Sequence, residues 1–274
     1  MKAGAALAAL LLVANSEAMP VTWREQPTQG GLLTGEVRGD VVALTLRTPD
    51  GKETPAALDV QSGRFLTGLD RDAPSQLTLV AKLTDGREAP FTLAVAPRAW
   101  RIERVNTPYH PPNFDARRPP ELARIAAARA RDTGAQGWLE PLRWPVAGPL
   151  RGRFGAQRIY RGLPGSYHAG VDIAAPTGTT VVAPAAGRVT LAADPPFTLE
   201  GRLLIIDHGG GLQSALMHLS RIDVTEGQAV AAGQSVGAVG MTGRATGPHL
   251  HWGLQWQGDR LDPMLVAGAM PTRP

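Results

Sequence analysis

Apolar and polar residues alternate in short, closely spaced runs, and this most narrows what the chain can fold into. The runs include VVALTLRT at 41–48, QLTLVAKLT at 76–84 and APFTLAVAP at 89–97. A period of two puts one set of side chains on one face of an extended strand. Between the runs lie PDGKE (49–53) and DGRE (85–88), whose Asp-Gly pairs favour tight turns. Glycine takes over the punctuation further along. The 274 residues include 32 Gly and 24 Pro with few aromatics, which suits many turns and short strands rather than long helices.

A mainly β chain of this length can support two domains with cores of their own. Residues 19–98 are expected to form an N-terminal β-sandwich of immunoglobulin-like type. They contain no histidine and no catalytic constellation, so binding or steric regulation is their expected role. Residues 99–137 form a linker, Pro-rich around TPYHPPNF (107–114). It continues as a helix from Pro119 to about Asp132, with a Pro pair at its start and Gly134 past its end. Residues 138–274 are turn-rich and strand-rich. Residues 1–18 read as a secretory signal: Lys2, a short apolar run, then Ser16-Glu17-Ala18 as a cleavage site.

Four of the six histidines fall in three short, Gly-flanked segments of the C-terminal half. His168 and Asp172 sit in YHAGVDIAAP, His218 in ALMHLS, and His249 and His251 in GPHLHWGL. Neutral imidazole and carboxylate groups suit a small divalent cation such as zinc, which at catalytic sites takes three protein ligands and keeps one position open. An H-x-H pair on a strand puts both rings on one face, about 6.5 to 7 Å apart at the backbone. His168 and Asp172 would lie about 13 Å apart on a straight strand, too far for one ion. The chain must therefore bend between them, and Gly170 makes a bend easy. The residues alone leave open which of His249 and His251 would hold the metal.

In this order the segments resemble the lysostaphin/LytM-type zinc endopeptidases of bacterial cell walls. The likeness runs through RFGAQR (153–158), HAGVDIAAPTGTTVVAPAAGRV (168–189), IIDHGGGL (205–212), HLS (218–220), EGQAVAAGQSVGAVGMTGRATGPHLHWGL (226–254) and LDP (261–263). It covers roughly residues 138–266. The resemblance implies an open antiparallel β-sheet domain with its site in a groove, and one zinc ion per chain held by His168, Asp172 and His251. It makes His218 and His249 the catalytic histidines beside the reacting water. The chain lacks an H-E-x-x-H helix, so histidine replaces glutamate as the acid–base group. Relatives often carry an aromatic residue where this chain has Leu216, two positions before His218, which bears on substrate contacts.

The implied substrate is the peptide cross-link of peptidoglycan, with a D-Ala–meso-diaminopimelate bond expected in a Gram-negative periplasm. The alternative class is a non-catalytic LytM-type protein that binds wall or activates an amidase, and zinc content separates the two. Some relatives resemble latent enzymes, so Asn106, His110 and Asn113 are candidate regulatory groups that a docked linker would bring near the metal; the plain alternative is a spacer. His208, in a Gly-rich turn, is expected to be structural or on the rim. The net charge of +4 is diffuse and lacks aromatic–basic interleaving, which argues against nucleic acid. The absence of cysteine removes disulfides and a lipidated N-terminus. No other segment is long and apolar enough to cross a bilayer, so an integral membrane protein is not expected after signal cleavage.

Overall fold

The computed structural model describes residues 20–23, 25–110 and 115–271; residues 1–18, expected to be a secretory signal, and Asn113 lie outside them. The alternating runs form strands. Two four-stranded antiparallel sheets face each other in the N-terminal part. One orders the strands Val21–Trp23, Leu32–Val37, Arg64–Gly68 and Ala57–Asp59. The other orders Glu53–Pro55, Val41–Arg47, Gln76–Leu83 and Glu88–Ala94. Their inward sets, among them Leu33, Phe65, Leu44, Leu79 and Leu93, make one buried cluster, as period-two patterning requires.

The C-terminal part is built on an eight-stranded antiparallel sheet. Its central strands, Val171–Ala174, His249–Trp256, Leu212–Leu219, Arg202–Gly209 and Gly187–Ala192, lie side by side in that order. One face buries Ile173, Leu204, Ile206, Leu216, Leu250, Trp252 and Leu254 in the largest core cluster. Trp252 and Trp256 are fully buried. Across this core, Thr180–Val182, Ser235–Ala238 and Arg221–Ile222 form a smaller sheet. The two parts pack closely. Leu66 joins the C-terminal core, and Gly68 lies so near Trp256 that an added Cβ would meet it at 2.9 Å. Arg98 pairs with the buried Asp262 at 2.7 Å.

The described parts of the linker segment pack on the C-terminal part. Its first strand, Ile102–Val105, pairs in parallel with Gln157–Tyr160. The helix spans Arg118–Arg129, three residues short of the expected end, with prolines in its first turn. Just past it, Arg131 donates to the Thr190 carbonyl and Thr133 to Asp207, which draws the chain onto the sheet and stops the helix. Ala128 and Ile125 pack on Leu191, Phe197, Ile205 and Ala215. Arg118 forms a two-pronged buried pair with Glu200, at 2.6 and 2.8 Å. Among the described residues, no helix is long and apolar enough to cross a membrane.

Candidate metal centre and groove

The antiparallel register explains how distant residues meet. Asp172 lies directly opposite His251, and Met217 opposite His251 on its other side. His168 precedes the Asp172 strand and bends back over it. Its Nε2 lies 3.1 Å from both Asp172 Oδ1 and His251 Nδ1, and His251 Nδ1 lies 2.8 Å from Asp172 Oδ1. Ligand atoms of these three residues fall within 4.8 Å of one another. The His168 ring is oriented from behind by a 3.1 Å hydrogen bond from Nδ1 to the Arg153 carbonyl, which leaves Nε2 facing the cluster.

Glycine lets the backbone approach this cluster. Gly170 is not left-handed; its requirement is room, because an added Cβ would meet the Trp252 carbonyl and, at 2.8 Å, His251 Nε2. The expected easy bend is thus a steric need. Gly152 does the same on the other side, where a Cβ would collide with the Asp172 carboxylate and stand 2.9 Å from His168 Cε1. Sequence reasoning missed Gly152, whose only signal is a glycine just ahead of RFGAQR.

His218 and His249 flank the three. Their ring centroids are 4.8 Å apart, and His218 lies 6.4 Å from the His251 ring. Each ring is held through Nδ1, His218 on the Thr242 carbonyl at 2.9 Å and His249 on the Gly247 carbonyl at 2.8 Å. A neutral imidazole bonded to a carbonyl donates there, so its other nitrogen is an acceptor. His218 owes its direction to an unusual backbone. Regular alternation would turn it to the core, since its neighbour Met217 faces the groove. Its φ of +63°, in the left-handed region, swings it back to the groove side. Its N–H is tied to the Glu200 carbonyl at 2.9 Å. Leu216 is fully buried in the core beneath, so the departure noted at this position touches packing and not the groove.

Electrostatics follow from this packing. Burial pushes the Asp172 carboxyl up, but hydrogen bonds and charge from His168 and His251 outweigh it and hold the group well below the usual carboxylate range. Burial works against a charged His168, yet the Asp172 hydrogen bond and charge raise it. His251 is lowered, chiefly by burial. His218 is pushed down to about 4 by burial, so it is neutral near pH 7.

The cluster opens into a groove of about 1680 Å³ whose walls include the linker helix, through Leu122 and Ile125, and the Arg244–Thr246 turn. His110 is exposed on the groove rim, and Asn106 is exposed; neither joins the metal-compatible group. His208 is wholly buried away from the groove, between the Ala186 carbonyl (2.8 Å) and the Ser214 hydroxyl (2.9 Å).

Residues 166–263 match the profile of peptidase family M23. A crystal structure described as a peptidase M23 from Pseudomonas aeruginosa is 30% identical and covers 90% of this chain and 96% of its own, with a TM-score of 0.66. Among curated proteins, peptidoglycan DD-endopeptidase ShyA of Vibrio cholerae serotype O1 is 40% identical over 35% of this chain and 22% of its own. DD-carboxypeptidase/endopeptidase Mpg of Neisseria meningitidis serogroup B is 40% identical over 38% of this chain and 23% of its own. The chain therefore spans less than a quarter of the length of these curated relatives.

Proposed function

The chain belongs to peptidase family M23, and from that premise we propose that it is a zinc endopeptidase that hydrolyses peptide cross-links of peptidoglycan in a Gram-negative periplasm. The D-Ala–meso-diaminopimelate bond is the cross-link it would cut. The observation that carries this reading is the convergence of His168 Nε2, Asp172 Oδ1 and His251 Nδ1 on one point, with two further imidazoles beside it.

The donor set fits zinc. Two neutral imidazole nitrogens and one carboxylate oxygen make the three-ligand shell of a catalytic site. With the His168 Nδ1–H given to the Arg153 carbonyl, the Nε2 lone pair of the neutral ring faces the Asp172 carboxylate oxygen at 3.1 Å, and a shared cation resolves that contact between two acceptors. The space cleared by Gly152 and Gly170 is what admits both rings. When bound there, zinc supplies a Lewis acid that polarises the scissile carbonyl and makes water reactive near neutral pH.

The chain's own residues would then manage the proton. Hydrolysis joins the water oxygen to the carbonyl carbon, breaks the C–N bond and moves one proton from water to the leaving amine. His249, with Nδ1–H committed to Gly247, offers Nε2 to take that proton. His218, fixed through Thr242, stands beside it to stabilise the developing oxyanion or return a proton. The Arg118–Glu200 pair steadies the segment whose carbonyl holds the His218 backbone. The experiment is digestion of purified sacculi by the zinc-loaded protein, with new termini identified by mass spectrometry. Protein with one equivalent of zinc that releases no new amine termini would refute the reading.

A further inference from the structure

The groove does not end at the metal centre. It continues into a second cavity of about 670 Å³ bordered by Pro55 and Ala57 of the N-terminal part, and the two spaces share Arg129, Gln213, Gln255 and Arg260. Gln255 lies four residues beyond His251 on the same strand and the same face, about 13 Å away. Between them the floor is low, because Gly253 and its register partner Ala215 carry almost no side chain.

Hydrogen bonding at this far end is incomplete in a specific way. Gln213 Nε2 donates to the Arg129 carbonyl at 3.1 Å, so its Oε1 is free to accept Gln255 Nε2 at 3.2 Å. That relay fixes the Gln255 amide and leaves its Oε1, in a buried side chain, with no partner. Arg129 Nε is also buried without a partner. Of the carboxylates near this end, Glu200 is ion-paired with Arg118, Asp207 accepts from Thr133 and Gly209, and Asp132 accepts from Gly134. Burial, then the neighbouring Arg260 charge, lowers the Arg129 guanidinium, against the opposing Glu200 charge. A buried polar atom without a partner is costly, and here one donor and one acceptor are both unmet.

We propose that Arg129, Arg260 and Gln255 form a subsite for an acidic residue of an extended peptide, about four backbone positions along the groove from the metal ligands. The guanidinium groups take the carboxylate, and Gln255 Oε1 accepts a peptide N–H. An anion that carries no proton, such as chloride or sulfate, would satisfy the arginines but not Gln255, whereas a peptide carrying a carboxylate satisfies both. The inference rests on the endopeptidase reading, and it adds that cross-links with a remote acidic group are preferred.

The test uses two synthetic peptides, identical except that one has a carboxylate and the other a carboxamide at the remote position. Binding is measured calorimetrically on the full chain carrying His249→Ala, and hydrolysis on the zinc-loaded protein without that change. The carboxylate form should bind about ten- to a hundredfold more tightly, the range of a hydrogen bond to a charged group. In hydrolysis the difference should appear in KM with kcat little changed. Arg260→Ala and Arg129→Met should each cut the preference severalfold or more. Arg260 is exposed, so its variant tests the idea even if Arg129→Met folds poorly. Equal binding of both peptides, or a preference that survives Arg260→Ala intact, would overturn the subsite. Discrimination in binding without hydrolysis of either peptide or of sacculi would overturn the endopeptidase reading and leave the subsite standing.

Discussion

Asp172 and His251 are 79 residues apart in sequence and directly opposite each other on neighbouring antiparallel strands, with His251 Nδ1 2.8 Å from Asp172 Oδ1. A carboxylate placed by strand register needs no flexible loop to reach its partner. Asp172→Ala should therefore reduce bound zinc from one equivalent to about a tenth or less and abolish hydrolysis with it, because two imidazoles alone hold the ion weakly. Elemental analysis of the purified variant checks this, and stoichiometric zinc in it would show that the carboxylate is not a ligand.

His249→Ala and His218→Asn should behave differently. Both are expected to keep zinc while losing about two to four orders of magnitude in kcat, the usual size of an acid–base contribution. Asparagine is chosen at 218 because it tolerates the left-handed backbone there better than alanine does. A metal-free His249→Ala beside a metal-loaded His251→Ala would mean that ligand and base are exchanged.

Gly152→Ala tests the cradle from the outside. The new methyl would meet the Asp172 carboxylate and the His168 ring, and no left-handed backbone is involved, so the effect is steric. Overpacking of this kind costs about 1–3 kcal/mol, or roughly five- to a hundredfold in zinc affinity if the ligands absorb it. Competition with a chromogenic chelator reads the affinity; a wild-type value would show that the ligands move aside freely.

His208 predicts a pH signature in stability. Burial drives its imidazole below the ordinary 6.5, against the Ala186 hydrogen bond and the Asp207 charge, so the folded protein keeps it neutral. The unfolded chain takes up that proton first as pH falls. Its contribution to stability is therefore complete above about pH 6.5 and is lost progressively below, by up to about 1.4 kcal/mol per pH unit. His208→Gln should flatten the slope of urea stability between pH 6.5 and 5 by up to one proton. An identical slope in both proteins would place the uptake elsewhere.

Several features were legible without a structure. The alternating runs and Asp-Gly turns implied antiparallel sheets, and the mainly β architecture follows them because period-two patterning is local. The clustering of His168, Asp172, His218, His249 and His251 in Gly-flanked segments was visible for the same reason: residue type and spacing are properties of the chain. The linker helix was visible in its proline start but not in its end, which is fixed by Arg131 and Thr133 bonding to the sheet.

Tertiary structure decided the rest, since it depends on register, close approach and burial between segments far apart in sequence. Pairing set Asp172 against His251. Packing made Gly152 and Gly170 into clearances and sent Leu216 inward, while a left-handed backbone turned His218 outward. The groove wall that the linker helix supplies, and the unpaired atoms of Arg129 and Gln255 at its far end, exist only once the sheets are stacked. A chain reports which groups it carries; only the folded arrangement reports which of them have been left without a partner.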